Sequence, residues 1–379
     1  MVSIKKSKAT GKPSPKTLIQ RAKVEGTPLI DGDQATFVWE SKPGKNKNEK
    51  IPYLVGDFNG WGWDSAREAK LTEAAKGVWT YTLTLPRNAY LEYLYTTDHT
   101  DPTARMNDPL SKKRITNGFG KFNNHFSMPE AVHTRLTTVK KDIPQGKVTQ
   151  HQLEHEFLLI SSKRDVWLYA PPVNHPVPLV LVYDGKDYLR RAKLPQIIDN
   201  LIDQGKIEPV GLALVENAGK ARFTEYNASE ACLALIIQLV LPLAQRHLNL
   251  IDVESQPGAY GVIGASMGGL MALYTGVRLP SIFGKIISQS GSFQFDFMKH
   301  ETVLKVLLRT LPTQPLMIWQ DVGLFEWLLN TNRQAQALLQ ERGYNVTYRE
   351  YAGAHNFTCW CDQLPEALIA TFGKNSPDR

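Results

Sequence analysis

Residues 260–269 read YGVIGASMGG, and this stretch decides the fold of the chain around it. Its first six residues form an apolar run typical of a buried strand, and the residues after Ser266 favour a helix. Gly264 to Gly268 fit the pattern G-x-S-x-G, in which small residues let a strand turn sharply into a helix. Such a turn presents the serine hydroxyl at the carboxyl end of a sheet. The stretch therefore predicts a nucleophilic serine on an α/β scaffold.

Strands and helices alternate on both sides of this turn. That alternation is typical of a doubly wound, mostly parallel sheet with crossover helices. The predicted strands lie in EFLLI, DVWLYAP, PLVLVYDG, PVGLALVEN, YGVIGAS, GKIISQSG, PLMIWQDV and NVTYREYAG. Several are apolar nearly throughout, as strands buried on both faces must be. Residues 151–379 are therefore predicted to form one catalytic domain.

A serine nucleophile needs a base and an acid, which in this sheet order follow it along the chain. His355 lies after the last predicted strand, at the sheet edge expected for Ser266, and is the predicted base. The acid should follow the preceding strand, where Asp321 and Glu326 both occur. Glu326 is favoured because Gly323 breaks the strand before it, and Asp321 is the alternative.

Two main-chain positions are expected to stabilise the oxyanion of an acyl transfer. One is the amide of Met267. The other lies after PLVLVYDG, at Gly185 or Lys186, where glycine lets the backbone approach a substrate.

Three side chains near the same edge are candidates for substrate binding. Arg222 either pairs with Glu225 within its loop or reads an anionic substrate. Tyr188 and Trp360 either stack on an aromatic acyl group or pack in the core.

The first half of the chain follows a different pattern. Residues 29–130 contain short segments rich in β-branched and aromatic residues, separated by Gly, Pro and Asn turns. They predict an immunoglobulin-like β-sandwich domain. Residues 131–150 are predicted to be a polar linker, and residues 1–28 a basic, mobile tail.

Charge excludes some function classes. Lys and Arg number 44 against 37 Asp and Glu, which gives a formal net charge of +7. Seven of the basic residues precede the first acid, Glu25, so the rest of the chain carries no net charge (7 − 7 = 0). No nucleic-acid-binding surface is therefore expected.

No membrane partner and no cofactor are expected either. No uncharged apolar stretch approaches the roughly 18 residues of a transmembrane helix, and the basic tail lacks the apolar segment of a secretory signal. The three cysteines, Cys232, Cys359 and Cys361, are too few for a disulfide framework and favour a reducing, cytoplasmic compartment. They also lack the second pair that a zinc site needs, so no metal is predicted.

These residues together resemble the enterobactin (enterochelin) esterase family, within the esterase D group of α/β-hydrolases. The similar segments keep their order and spacing: RDVWLYAP, LVYDGKDY, RFTEYNASEACLALIIQLVLPL, GVIGASMGGLMALYTGVRLPSIFGKIISQSGSF, VGLFEWLLNTNRQAQALL and GAHNFTCWCDQL. The segment YLVGDFNGW with the later MNDP resembles the β-sandwich domain of that family.

The resemblance implies hydrolysis of the serine trilactone of ferric catecholate siderophores in the cytoplasm, which releases iron. It implies that Ser266 is the nucleophile, His355 the base and Glu326 the acid. The family usually has GGHD followed by Trp-Arg, where this chain has Gly-Ala-His-Asn and Trp-Cys.

Two other functions remain as alternatives. A feruloyl or acetyl esterase acting on carbohydrates would use the sandwich as a sugar-binding module, with Tyr53, Trp61 and Trp63 as candidate platform residues. A non-catalytic binding protein on a hydrolase fold would lack reactivity at Ser266.

Overall fold

The computed structural model describes residues 15–41, 50–62, 68–118, 120–160, 162–293, 296–297 and 300–374. The chain divides into two compact units. Unit 1 comprises Met1–Val132 with two later segments, Gly323–Trp327 and Ala352–Asn356, and unit 2 comprises the rest. The sequence analysis had assigned both later segments to the catalytic domain.

Unit 1 is built from two antiparallel sheets, as predicted for a β-sandwich. The strands of the first sheet pair in the order β1-β2-β6-β5, those of the second in the order β4-β3-β7-β10-β9, and β8 pairs with β7. The bounds are β1 (Leu29–Asp31), β2 (Gln34–Glu40), β3 (Tyr53–Gly56), β4 (Ala69–Lys70), β5 (Thr72–Ala75), β6 (Val78–Thr84), β7 (Tyr90–Thr96), β8 (Arg105–Met106), β9 (Arg114–Thr116) and β10 (Phe122–Ser127). The immunoglobulin-like type of this sandwich stays a prediction.

Aromatic side chains join the two sheets. The Phe37 ring on β2 meets the Tyr93 ring on β7 edge-on at 4.8 Å, and Phe126 on β10 lies 5.6 Å from Phe37. All three are buried. Edge-to-face packing of this kind contributes beyond the area it removes from water.

The mobile-tail prediction needs correction within the described residues. Helix α1 (Pro15–Glu25) buries Ile19 and Ala22 against Leu29 and Val38. These two apolar side chains, three residues apart, give the helix one packing face, although its overall composition is polar. The remainder of the predicted tail, residues 1–14, lies outside the described residues.

Unit 2 contains an eight-stranded sheet in the order β11-β12-β14-β13-β15-β16-β19-β20. Strands β11, β12 and β14 pair antiparallel, and β14, β13, β15, β16 and β19 pair parallel. The bounds are β11 (Lys147–Glu154), β12 (Lys163–Ala170), β13 (Leu179–Val182), β14 (Gly211–Val215), β15 (Tyr260–Ala265), β16 (Phe283–Gln289), β17 (Asp296–Phe297), β18 (His300–Glu301), β19 (Met317–Gly323) and β20 (Asn345–Tyr351). Strands β17 and β18 form a separate hairpin.

Helices connect these strands, as the alternating pattern predicts. Their bounds are α2 (Gly185–Arg190), α3 (Leu194–Asp203), α4 (Arg222–Glu225), α5 (Glu230–Leu235), α6 (Leu241–His247), α7 (Met267–Arg278), α8 (Val303–Thr310), α9 (Leu329–Glu341) and α10 (Phe357–Phe372). A π-helical turn, Ile236–Val240, joins α5 to α6. Core side chains cover both faces of the sheet: Leu179 and Leu181 of β13 enter one cluster, and Val180 and Val182 the other.

The first strand of this sheet was predicted in the wrong place. The apolar run at 157–160 is not a strand, and Phe157 is 90% exposed. Strand β11 lies earlier, at Lys147–Glu154, so the predicted linker ends before residue 147. Because β11 is an edge strand with mostly exposed side chains, its sequence lacks the apolar run of a buried strand.

The strand order reverses between β13 and β15. Strand β14 lies on one side of β13, and the next strand along the chain, β15, lies on the other. In open α/β sheets, ligands bind beside the carboxyl ends of the strands at such a reversal. The loops after β13 and β15 carry Gly185 and Ser266.

No single helix among the described residues is long and apolar enough to cross a membrane. Two helical segments, Gly219–Glu225 and Glu230–His247, reach the required length and apolar character only when they are counted together, and they are bent by 108° where they meet.

Candidate active site

Ser266 occupies the predicted turn between β15 and α7. Its backbone has φ 59° and ψ −122°, a conformation that side-chain-bearing residues rarely adopt and that marks functional turns. The Ser266 amide donates to the Gln289 carbonyl at 2.9 Å, and the Ser292 amide donates to the Ser266 carbonyl at 2.9 Å. The strand–turn–helix prediction is confirmed.

Small residues around the serine allow this turn. A side chain at Gly264 would collide with the Gly268 carbonyl, so the strand and the helix can meet only with glycine there. A Cβ at Gly268 would lie 3.0 Å from Oδ2 of Asp184. The loop after β13 therefore lies directly against the first turn of α7.

The predicted oxyanion donors lie at the starts of two helices. Met267 is the first residue of α7, and Gly185 and Lys186 are the first residues of α2. Amides in the first turn of a helix have no partner within the helix and can bind an anion. Gly185 also serves packing, because a Cβ there would collide with the backbone of Leu214 on β14; its approach to a substrate stays a prediction.

Arg222 pairs with Asp184, not with Glu225 as one of the sequence hypotheses held. Its Nε and Nη2 donate to the two carboxylate oxygens of Asp184, each at 2.6 Å. Nη2 also lies 3.4 Å from the carbonyl of Ala265, the residue before the serine. Burial lowers the pKa of Arg222, but the hydrogen bonds and charge of Asp184 outweigh it and raise this pKa above its usual value. The pair ties the loop after β13 to the end of β15.

Glu225 has a different partner. It makes two hydrogen bonds, at 2.8 and 3.0 Å, with the guanidinium of Arg164 on β12, and both side chains are buried. The hypothesised pairing of Arg222 with Glu225 is therefore not formed, because each side chain makes an ion pair with another residue.

Glu326 and His355 lie together in unit 1. Nδ1 of His355 is 2.7 Å from Oε2 of Glu326, and Oε1 of Glu326 accepts from the Gly323 amide at 2.9 Å. The Glu326 side chain is 0% exposed and that of His355 is 15% exposed. The carboxylate is thus fixed from two directions, which suits an acid that orients an imidazole.

Asp321, the alternative acid, lies in β19 and is fully buried. Its Oδ2 accepts from Trp319 Nε1 at 2.7 Å and from Gln289 Nε2 at 3.3 Å. Its position within the strand agrees with the reason for ranking it second.

The loops that carry Glu326 and His355 are bound to the sandwich. The Phe325 amide donates to the Gly353 carbonyl at 3.1 Å, and the Tyr90 amide of β7 donates to the Ala352 carbonyl at 3.1 Å. The Ala354 side chain is 1% exposed within the sandwich core, and Phe325 and Ala352 pack against the same core. The sandwich therefore supports both residues of the pair.

Tyr188 and Trp360 are core residues, which corrects their candidacy for stacking on an acyl group. Tyr188 is 0% exposed and donates to Gln289 Oε1 at 2.9 Å, and Trp360 is 5% exposed and donates to Ser290 Oγ at 2.8 Å. Burial raises the pKa of the Tyr188 hydroxyl well above its usual value.

Trp327 was missed by the sequence analysis. It directly follows Glu326, is 64% exposed, and its ring lies 4.6 Å from the His355 imidazole. The sequence signal that could have identified it is its position directly after Glu326, the favoured acid, in a predicted loop.

Within the described ranges, no cluster of three His, Cys, Asp or Glu side chains could hold a metal ion. The three cysteines are buried. That the chain needs no metal or cofactor stays a prediction.

Comparison with known proteins places the chain in a family. The model of the family described as "Putative esterase" matches residues 159–371, more than half of the chain. The iron(III) enterobactin esterase of Dickeya dadantii is 26% identical, over 88% of each chain. The iron(III) salmochelin esterase of an Escherichia coli strain is 25% identical, over 77% of this chain and 76% of the relative.

A solved structure extends the likeness to three dimensions. The enterobactin esterase of Shigella flexneri, crystallised in the presence of enterobactin, superposes with a TM-score of 0.70. It is 22% identical, and the match covers 89% of this chain and 92% of that one. This likeness shows the fold.

Proposed function

The chain belongs to this esterase family, and we propose that it hydrolyses the ester bonds of a catecholate siderophore, freeing the iron that the siderophore carries. The observation that carries the proposal is the hydrogen bond between His355 and Glu326, the two residues expected to activate Ser266. The substrate class is supported by the relatives named iron(III) enterobactin esterase and iron(III) salmochelin esterase.

Ser266 is the proposed nucleophile. Its Oγ forms a bond to the ester carbonyl carbon while its proton passes to Nε2 of His355. Nδ1 faces Glu326, whose negative charge stabilises the imidazolium. The C–O bond to the leaving hydroxyl then breaks, and that oxygen takes the proton from Nε2.

Water completes the cycle. His355 accepts a proton from a water molecule, the resulting hydroxide attacks the acyl-serine, and Oγ leaves with the proton returned by Nε2. In both halves the carbonyl oxygen becomes negative. We assign its stabilisation to the amides of Met267 and of Gly185 or Lys186, since their helices begin at these residues.

The test is a comparison of substrates. Wild-type protein is incubated with ferric enterobactin, a feruloylated sugar and a short p-nitrophenyl ester, and products are followed by chromatography with mass detection. We expect cleavage of ferric enterobactin to 2,3-dihydroxybenzoylserine units, with kcat/KM higher than for the other two esters. A preference for the feruloylated sugar would overturn the siderophore assignment.

The carbohydrate alternative gains no support from the sandwich residues proposed for it. Trp61 donates to Asp57 at 2.9 Å and lies under Arg105, and the Tyr53 ring contacts His99 at 4.3 Å. Trp63 lies outside the described residues.

A non-catalytic role is tested separately: absence of a fluorophosphonate adduct on Ser266 would support it. The cytoplasmic location remains part of our proposal, favoured by the low cysteine count.

A further inference from the structure

Trp327 is an exposed aromatic residue beside the proposed base. One part of its ring contacts His355, at 4.6 Å between ring centroids and 42° between planes. The side chain is nevertheless 64% exposed. A tryptophan held in this way offers a large apolar surface to any molecule that approaches the imidazole.

Its neighbours in the chain are turned inward. Phe325 packs against the sandwich core, Glu326 is buried against His355, and Leu328 is 6% exposed. These contacts fix the backbone on both sides of Trp327, so its exposure is not the result of a poorly packed loop. A single exposed apolar side chain is ordinary on a protein surface, and what distinguishes Trp327 is its contact with the imidazole of the proposed base.

We propose that Trp327 binds the aromatic acyl group of the substrate by stacking on it, and so favours esters of N-aroylserine over esters of N-alkanoylserine. This inference rests on the proposed function. Stacked or edge-on aromatic pairs add enough free energy to change an affinity by up to about tenfold.

The dimensions of such a substrate agree with this role. In an N-aroylserine ester the aryl ring is joined to the ester carbonyl carbon through Cα, the amide nitrogen and the amide carbon. This path extends about 5 Å, and the Trp327 ring lies directly beside the imidazole, 4.6 Å between centroids. An ester carbonyl that His355 serves would therefore have its aryl group within reach of Trp327.

The experiment uses a pair of substrates that differ only in the aryl ring, the methyl esters of N-benzoylserine and N-acetylserine. Trp327→Ala should lower kcat/KM for the benzoyl ester about tenfold more than it lowers the value for the acetyl ester. Trp327→Phe, which keeps a ring, should retain most of the preference. Phe122→Ala is the matched control, because Phe122 is an exposed aromatic residue of the same unit, at 57%, and should leave both values unchanged.

A binding measurement separates this inference from the proposed function. Calorimetry with 2,3-dihydroxybenzoylserine should give a Kd about tenfold weaker for Trp327→Ala than for wild type. If wild type cleaves no siderophore ester but this difference persists, the proposed function fails and the aryl site stands. An equal Kd, or an equal loss on benzoyl and acetyl esters, would overturn the aryl site and leave Trp327 as a support for the imidazole.

Discussion

The serine turn and the acid–base loops are held by different parts of the molecule. Ser266 is fixed within unit 2, by backbone hydrogen bonds to Gln289 and Ser292 of the neighbouring strand and loop. Glu326 and His355 are fixed within unit 1, where Ala354 lies in the core of the sandwich. One part of the proposed machinery thus depends on the sheet, and the other depends on a domain that precedes it in the chain.

This difference bears on what the sandwich is for. Within the sandwich, Phe37, Tyr93 and Phe126 fill the core. The same core receives the loops at Gly323–Trp327 and Ala352–Asn356. The sandwich therefore has a structural connection with the base and the acid that the sequence did not reveal.

The largest effect is expected at the serine turn. Ser266→Ala should lower kcat by at least about 10⁴-fold, since the variant lacks the hydroxyl that forms the proposed acyl-enzyme. The melting temperature should be unchanged, because the hydroxyl makes no part of the backbone bonds that hold the turn. Stopped assays with purified protein and a melting curve measure both. A folded variant with substantial turnover would exclude Ser266 as the nucleophile.

The second prediction concerns the pair in unit 1. Glu326→Gln should lower kcat by about 10²- to 10⁴-fold, since an amide no longer compensates the imidazolium and can select the wrong tautomer. Asp321→Asn should lower kcat less than about tenfold and instead lower the melting temperature, because the hydrogen bond from buried Trp319 loses its charged acceptor. Both variants are assayed side by side at saturating substrate.

The ranking of these two variants is the informative result. The reverse order would transfer the acid role to Asp321. Two mild effects would indicate a Ser–His dyad.

The third prediction concerns the ion pair between Asp184 and Arg222. Arg222→Ala should lower kcat between about tenfold and about 100-fold with little change in KM, because the loop that begins α2 loses its connection to the end of β15. The kcat of Arg222→Lys should lie between the values of wild type and Arg222→Ala, because lysine cannot donate in the bidentate geometry. Arg333→Ala is the control, as Arg333 makes a comparable bidentate pair with Glu350, at 2.7 Å for both bonds. A rise in KM alone would favour the hypothesis that Arg222 reads an anionic substrate.

Local patterns in the sequence were enough for part of this structure. The turn at Ser266 and the two-faced burial of β13 depend on residues close together in the chain, so spacing and polarity predicted them. Strand β11 was misplaced because an edge strand has few apolar residues, and the packing of α1 was missed because its partners Leu29 and Val38 follow it.

Contacts between distant segments account for most of the rest. The bond between Tyr90 and Ala352 joins residues far apart in the chain, and no local pattern announces it. Tyr188 and Trp360 are buried in the core, whereas Trp327 is exposed. Residue type and position at the sheet edge could not distinguish these three aromatic residues.

The smallest expected effect tests the connection between sandwich and base most directly. Ala354, next to His355, has its methyl group in the sandwich core, and Ala35 of β2 has its own in the same core, 1% and 0% exposed. Either alanine replaced by glycine loses one buried methyl, about 0.8 kcal/mol, and gains backbone freedom worth about 0.5–1 kcal/mol. Both variants should therefore melt a few degrees below wild type.

Only Ala354→Gly should also lower kcat, by about three- to tenfold, because the freed backbone is the one that positions the imidazole. KM should change little in either variant. Melting curves and saturation kinetics on the same preparations measure both properties. If Ala35→Gly lowered kcat as much as Ala354→Gly, the loss would reflect general weakening of the sandwich. If Ala354→Gly kept full turnover at its lower melting temperature, packing of the loop against the sandwich would not set the position of His355. The two regions would then differ in how they are built but not in how their packing affects catalysis.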